Sequence, residues 1–189
     1  MDDEPIDTHA IAAFWAWFAQ IAPTLVFPPS DEMLGAFGDR IHAIHPALGF
    51  QIGEPTDDLV IEISAEGRKR MIPVVVEVVN AAPEIAGWTV RAFRQPCAVA
   101  SISVGTCTYT TDSVRFAMKR DDNGTHVALF LDDFDAAPNE VGPIAFLLLD
   151  ATIGELAVMT EIVGLKFFDS RNQFVATRPL CDLPAALDS

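Results

Sequence analysis

Leu48-Gly49-Phe50-Gln51-Ile52-Gly53-Glu54-Pro55-Thr56-Asp57-Asp58-Leu59-Val60-Ile61-Glu62-Ile63-Ser64 is the stretch whose periodicity decides the fold class. Leu48, Phe50 and Ile52 alternate with Gly49, Gln51 and Gly53, and the alternation resumes from Leu59 to Ser64. A period of two sends successive side chains to opposite faces of a strand. Between the two runs, Pro55 presets φ and the Asp side chains can bond their own backbone, which is turn chemistry. The stretch predicts a β-hairpin with half-buried strands.

Downstream, residues 72 to 82 carry conflicting signals. Val74, Val75, Val76, Val78 and Val79 favour a strand by propensity. Pro73 suits a first helical turn, and Ala81-Ala82-Pro83 suits a helix end. The positional signals favour a helix, after which Gly87 leads into a strand from Trp88 to Arg94.

Upstream, the period lengthens to that of a helix. Ile11, Phe14, Trp15, Phe18, Ile21 and Leu25 form one apolar stripe over residues 8 to 26, with Asp7 or Thr8 as the cap and Pro28-Pro29 as the stop. Ser30 caps a second helix with Asp31 and Glu32 in its first turn, and Leu34, Phe37, Ile41 and Ile44 form its stripe before Pro46. Residues 1 to 46 read as a helical hairpin.

The second half repeats the strand grammar. A β region runs from Ser101 to Thr110. Ser113 to Arg120 and His126 to Leu131 then flank Asp121-Asp122-Asn123-Gly124, a hairpin signal. Pro143 is expected to start a helix through Ile144, Leu147, Leu148 and Ala151, Gly154 to interrupt it, and Ile162 to Phe168 to close as a strand. The tail from 170 to 189 is expected to be irregular or one short helix. Segments 47 to 95 and 99 to 169 thus each contain a strand, turn, strand, helix, strand series. Phe50 corresponds to Phe116, Ile61 to Ala128, and the Ile72 helix to the Ile144 helix. The expectation is one α+β domain over residues 1 to 189: an N-terminal helical hairpin, a mostly antiparallel sheet, and two ββαβ units in a pseudo-duplicated arrangement.

Composition narrows the function classes. A chain of 189 residues, half of them apolar, buries roughly 70% of its unfolded surface and needs neither disulfide nor metal to form a core. No apolar run reaches the roughly 18 residues of a membrane span. With 27 acidic against 12 basic residues and a net charge of -15, the chain repels nucleic acid and anionic membranes. The charge fits a partner protein with a basic surface, mimicry of nucleic acid, or plain solubility. The acidic start Met1-Asp2-Asp3-Glu4-Pro5 is unlike a secretory signal. Cys97, Cys107 and Cys181 form no Cys-x-x-Cys pair, so a cytoplasmic location is expected.

Several short segments together resemble a family of uncharacterised bacterial proteins. They are Phe14-Trp15-Ala16-Trp17-Phe18, His45-Pro46 before Phe50-Gln51-Ile52-Gly53, Ser64-Ala65-Glu66-Gly67, Ala82-Pro83 with Gly87-Trp88, Ala92-Phe93-Arg94, and Ile153-Gly154-Glu155. The resemblance spans most of the chain. It implies a bacterial cytoplasmic α+β protein of unknown function and brings no active-site residue with it.

Candidate chemistry is sparse. His42 and His45, three apart, share a side of the second helix, where a metal or an acid–base pair could use them with Asp39. A zincin needs two His four apart with a Glu between them, and Ala43-Ile44 stands here instead, so a helix-end pair is the alternative. His9 and His126 are isolated. Ser101, Ser103 and Cys107 lie in a β-like stretch without a local base, and no Gly-x-Ser-x-Gly elbow exists. Asp57-Asp58, Asp121-Asp122 and Asp132-Asp133-Asp135 read as solvated turns, the last lacking the Gly and terminal Glu of a calcium loop. Gly35-Ala36-Phe37-Gly38 and Ser103-Val104-Gly105-Thr106 do not make a phosphate loop. No metal site and no cofactor are expected.

Arg68-Lys69-Arg70 is a basic cluster that can grip an anion or an acidic partner, or simply be a solvated loop. Trp17 is rotated about 200° from Trp15 on a helix, and so is either an exposed interface anchor or packed against the second helix or the sheet. Two readings follow. The first is an acidic cytoplasmic interaction protein (adaptor, immunity-type inhibitor or accessory factor) using Trp17, Arg68, Lys69 and Arg70, with an exposed apolar patch rimmed by carboxylates. The second is a small enzyme with a cleft built from His42, His45, Asp150 and Glu155, in which polar groups converge on a concave pocket.

Overall fold

The computed structural model describes residues 6–53, 58–97, 101–104 and 107–189. The chain parts into two compact units, Met1–Arg94 and Gln95–Ser189.

The first unit begins with helices α1 (Thr8–Ile21) and α2 (Asp31–Ile44). Asp7, the first of the two candidate caps, accepts from the backbone N–H of His9 at 2.9 Å and Ala10 at 3.1 Å. Ser30 accepts from Met33 N–H at 3.3 Å and opens α2 as expected. The hairpin follows, β1 (Gly49–Gly53) and β2 (Leu59–Ser64), antiparallel with Phe50 opposite Ile63. Its expected turn at 54–57 lies outside the described residues. Helix α3 (Ile72–Asn80) then crosses over so that β3 (Trp88–Ala92) pairs parallel with β2. The order β1-β2-β3 makes β2 central, which is why Val60, Ile61 and Ile63 are all buried.

The valine-rich segment is a helix because burial outweighs β propensity. Val75 and Val78, three apart, are buried, whereas Val76 is exposed. Phe37 stands at the centre of the aromatic packing. Its ring meets Phe18 and Phe50 at 5.4 Å, Trp17 at 4.9 Å and Phe14 at 6.3 Å. Trp15 ties α1 to α3 by donating its indole N–H to the Val78 carbonyl at 2.8 Å.

The second unit opens with the hairpin β4 (Ser101–Val104) and β5 (Cys107–Thr110). A four-stranded sheet follows from β6 (Arg115–Asp121), β7 (Gly124–Leu131), β8 (Ile162–Asp169) and β9 (Arg178–Pro179), in the order β8-β7-β6-β9. Helices α4 (Pro138–Ile153) and α5 (Glu155–Glu161) connect β7 to β8, and α6 (Leu183–Leu187) is the short helix of the tail. The connecting helix starts at Pro138, not Pro143. Pro138 occupies the first turn, where its missing N–H costs nothing, while Pro143 sits inside the helix and removes one backbone bond. Gly154, at φ 86°, interrupts the helix as its sequence position suggests, and α5 leaves at a bend of 98°. Ile144, Ala145, Leu148 and Leu149 of α4 pack into a core with Phe116, Val127, Leu129 and Leu131. No single helix among the described residues is long and apolar enough to cross a membrane.

Both units contain the ββαβ series with one topology. Strand β1 pairs antiparallel with β2, which pairs parallel with β3, and β6, β7 and β8 repeat those senses. Two residues past β2 and two past β7 stand carboxylates at positive φ, Glu66 at 51° and Asp133 at 58°. Matching these aligns Ile61 with Ala128. It also aligns Ile63 with Phe130, whose β6 partner is Arg115, so Phe50 corresponds to Arg115 and not to Phe116. The shift of one arises because the two hairpins have loops of different length, and one residue changes the face.

Candidate functional site

A groove of about 380 Å³ opens in the first unit. One wall comes from α2, where Gly38 and His42 stand four residues apart and therefore on one face. The chain then turns sharply into β1. His45 leaves the helix with extended dihedrals, its Nδ1 accepts from Ala47 N–H at 3.0 Å, and its carbonyl accepts from Leu48 N–H at 3.1 Å. That turn brings Pro46, Leu48, Gly49 and Phe50 to the groove.

The opposite wall is the turn after β2, which supplies Glu66 and Arg68. Ser64 Oγ accepts from Glu66 N–H at 2.9 Å and Ala65 carbonyl accepts from Arg68 N–H at 3.0 Å, closing a turn in which Glu66 and Gly67 both have positive φ. Arg68 then donates from Nη1 to the Ala47 carbonyl at 2.9 Å, joining the two loops. Strand β3 ends beside them. Phe93, at φ 64°, donates its N–H to Ile63 carbonyl at 2.8 Å, and Arg94 follows to ion-pair with Glu66 Oε1. Glu66 and Arg94 therefore come from the carboxyl ends of neighbouring parallel strands, where open sheets commonly bind ligands. Glu66 and Phe93 are non-glycine residues in the left-handed region, a strain that clusters at functional sites.

The remaining sequence candidates divide between the units. Lys69 and Arg70 are exposed on the 3-10 turn Lys69–Met71, next to Arg68 but outside the groove lining. Trp17 is not a free anchor. It is half-buried, its edge faces Phe37, and the Arg40 guanidinium lies over its ring at 4.1 Å from the centroid. Phe37 and Arg40 are three apart on α2, so one helix face supplies both contacts to the indole. Of the four residues expected to form a cleft, His42 and His45 belong to the first unit, whereas Asp150 and Glu155 belong to the second. Asp150 lies in the last turn of α4 and Glu155 opens α5, and both are buried.

In the second unit the acidic run after β7 is anchored as well as solvated. Cys107 Sγ lies 3.5 Å from Asp133, Ser170 Oγ bonds Asp132, and Asn172 donates to Asp135 at 2.7 Å. Asp169, fully buried at the end of β8, accepts from Arg171 Nε at 2.6 Å and Nη2 at 2.8 Å, which holds its carboxyl far below the ordinary carboxylate range. Burial raises the Tyr109 phenol, and the neighbouring Cys107 and Asp133 add to the effect. No group of three or more His, Cys, Asp or Glu among the described residues is arranged to hold a metal.

Sequence reading alone assigned no role to Gly49, Glu66 or Arg94. A carboxylate followed by glycine directly after an alternating strand was the local signal for the Glu66 turn. Comparison with models of protein families, with curated proteins and with solved structures gives no match.

Proposed function

We propose that this chain is an acidic cytoplasmic interaction protein, an adaptor, inhibitor or accessory factor that engages a partner protein with a basic surface. The observation that carries the reading is an apolar set left exposed on an acidic background. Phe146 and Leu147 of α4, Leu156 of α5 and Val163 of the edge strand β8 are between 37% and 52% exposed. The unit that bears them has seven more acidic than basic residues. Exposed apolar side chains amid one sign of charge suit association steered by electrostatics and held by burial. The free thiols of Cys107 and Cys181 fit a reducing compartment.

The test is capture of a partner from native cells, followed by calorimetry on the purified pair at low and high salt. Affinity should fall as salt rises, and Leu156→Lys, which presents like charge to a basic partner, should weaken it. Salt-independent binding that ignores Leu156→Lys would remove the reading. A second, catalytic reading draws on the convergence of His42, Glu66 and Arg68 at one groove. Its cleft would use His42 without His45, whose Nδ1 accepts from Ala47 N–H.

A further inference from the structure

The groove of the first unit sets one unneutralised positive charge beside an apolar lining. Glu66 is matched by Arg94, whose side chain is only 14% exposed. No carboxylate among the described residues ion-pairs with Arg68. Arg68 commits Nη1 to the Ala47 carbonyl, and a guanidinium has five donors in a planar fork that matches a carboxylate in two-point geometry. The same groove is lined by Leu48, buried at 1% exposure, half-buried Phe50 and exposed Pro46.

We propose that this groove binds a monoanionic carboxylate carried on a short apolar body, the carboxylate on Arg68 beside His42 and the body over Leu48 and Phe50. A singly charged, planar anion is favoured over a phosphate for two reasons. One guanidinium balances one negative charge, and a dianion would sit beside the Glu66 carboxylate in the same wall. A volume of about 380 Å³ falls in the range of small-ligand sites. The inference stands on this groove alone and holds whether or not the acidic surface engages a protein. Two sources share the chemistry: a free organic acid, and the C-terminal carboxylate of a peptide ending in an apolar residue.

The experiment titrates the full chain with acetate, butyrate and hexanoate, and with acetyl-Ala-Leu as free acid and as C-terminal amide, following backbone amide NMR shifts. Saturable shifts at residues 38–50 and 64–68 are expected, tightening from acetate to hexanoate. Arg68→Gln should weaken hexanoate by about tenfold or more, while Lys69→Gln and Arg70→Gln, with the same change in net charge, should bind as wild type. Peptide acid binding over a silent amide assigns the peptide source, and hexanoate without peptide assigns the free acid. Arg68→Lys, which keeps the charge and loses the fork, serves if Arg68→Gln is poorly folded, and should bind more weakly than wild type. The proposal is overturned if no carboxylate shifts those residues, if the folded Arg68 variant binds as wild type, or if inorganic phosphate binds more tightly than hexanoate.

Discussion

Glu66 lies directly over Gly49: a Cβ at position 49 would collide with the Glu66 carboxylate. The collision is with the group that Arg94 holds, so the three residues form one linked contact between the ends of β2, β3 and the start of β1. Gly49→Ala should displace the exposed, flexible Glu66 side chain, break its pair with Arg94 and narrow the groove, at a cost of up to about 1 kcal/mol. Removing the obstacle should relieve it. In denaturant unfolding, Gly49→Ala with Glu66→Ala should lose less stability than the two single changes added together. Strict additivity would show that the two sites do not touch.

Trp15 and Val78 offer a second test. The Val78 carbonyl lies in the last turn of α3, and Ala82 N–H, which a longer helix would turn toward it, bonds Val79 instead. Trp15 Nε1 supplies the donor at 2.8 Å in a buried setting. Trp15→Phe keeps most of the ring volume and deletes that donor, so it should cost about 1–3 kcal/mol from the orphaned acceptor. A loss within a few tenths of a kcal/mol would place water at that carbonyl.

The contrast between these two sites shows what the sequence could reveal. Trp15 is legible in advance as part of a helical stripe, because periodicity and burial are local patterns that packing then reinforces. The helix from Ile72 is legible through Pro73, whereas Pro143 misleads because proline marks a helix start by preference yet is tolerated inside when packing supports the helix. The groove is not legible. Its lining residues come from 38–50 and 66–68; the β1–β2 hairpin that brings 49 beside 64 was legible, but the packing of α2 against that turn and the parallel pairing of β3 with β2, which delivers Arg94 to Glu66, are tertiary choices that no local pattern encodes. Arg68 stands out in sequence as one of three adjacent cations, but only the fold separates it from Lys69 and Arg70.

Tyr109 is the chain's sole tyrosine, so tyrosinate absorbance reports on it directly. Burial pushes its phenol above the ordinary value, with Cys107 and Asp133 adding to the shift, and its hydroxyl donates to the Asp132 carbonyl at 3.0 Å. The folded protein should titrate above the value of about 10 found for exposed tyrosine, and denatured protein should return to it. The sign for stability follows: the unfolded chain releases this proton first, so stability falls once the pH rises past about 10. Asp133→Asn should lower the folded midpoint. A midpoint identical in folded and denatured protein would contradict the buried placement.

Asp169 predicts the acid limb of the second unit's stability. Its carboxyl is depressed first by the Arg171 side-chain bonds, then by backbone N–H groups of Arg171 at 3.0 Å and Asp135 at 3.3 Å. A depressed carboxyl contributes stability that is fully present above the unfolded value of about 3.9 and drains away as the pH falls below it toward the folded value. Melting temperature against pH should therefore drop more steeply below about pH 4 in wild type than in Asp169→Asn, which has no proton to take up there. At neutral pH the Asn variant should melt lower, because it leaves the Arg171 guanidinium without its anion and Asp135 N–H with a weaker acceptor. Arg171→Gln, which lets the Asp169 carboxyl rise toward its ordinary range, should likewise flatten the acid limb and lower the melting temperature at neutral pH. Parallel acid limbs in all three proteins would mean that the pair at the end of β8 does not govern acid unfolding.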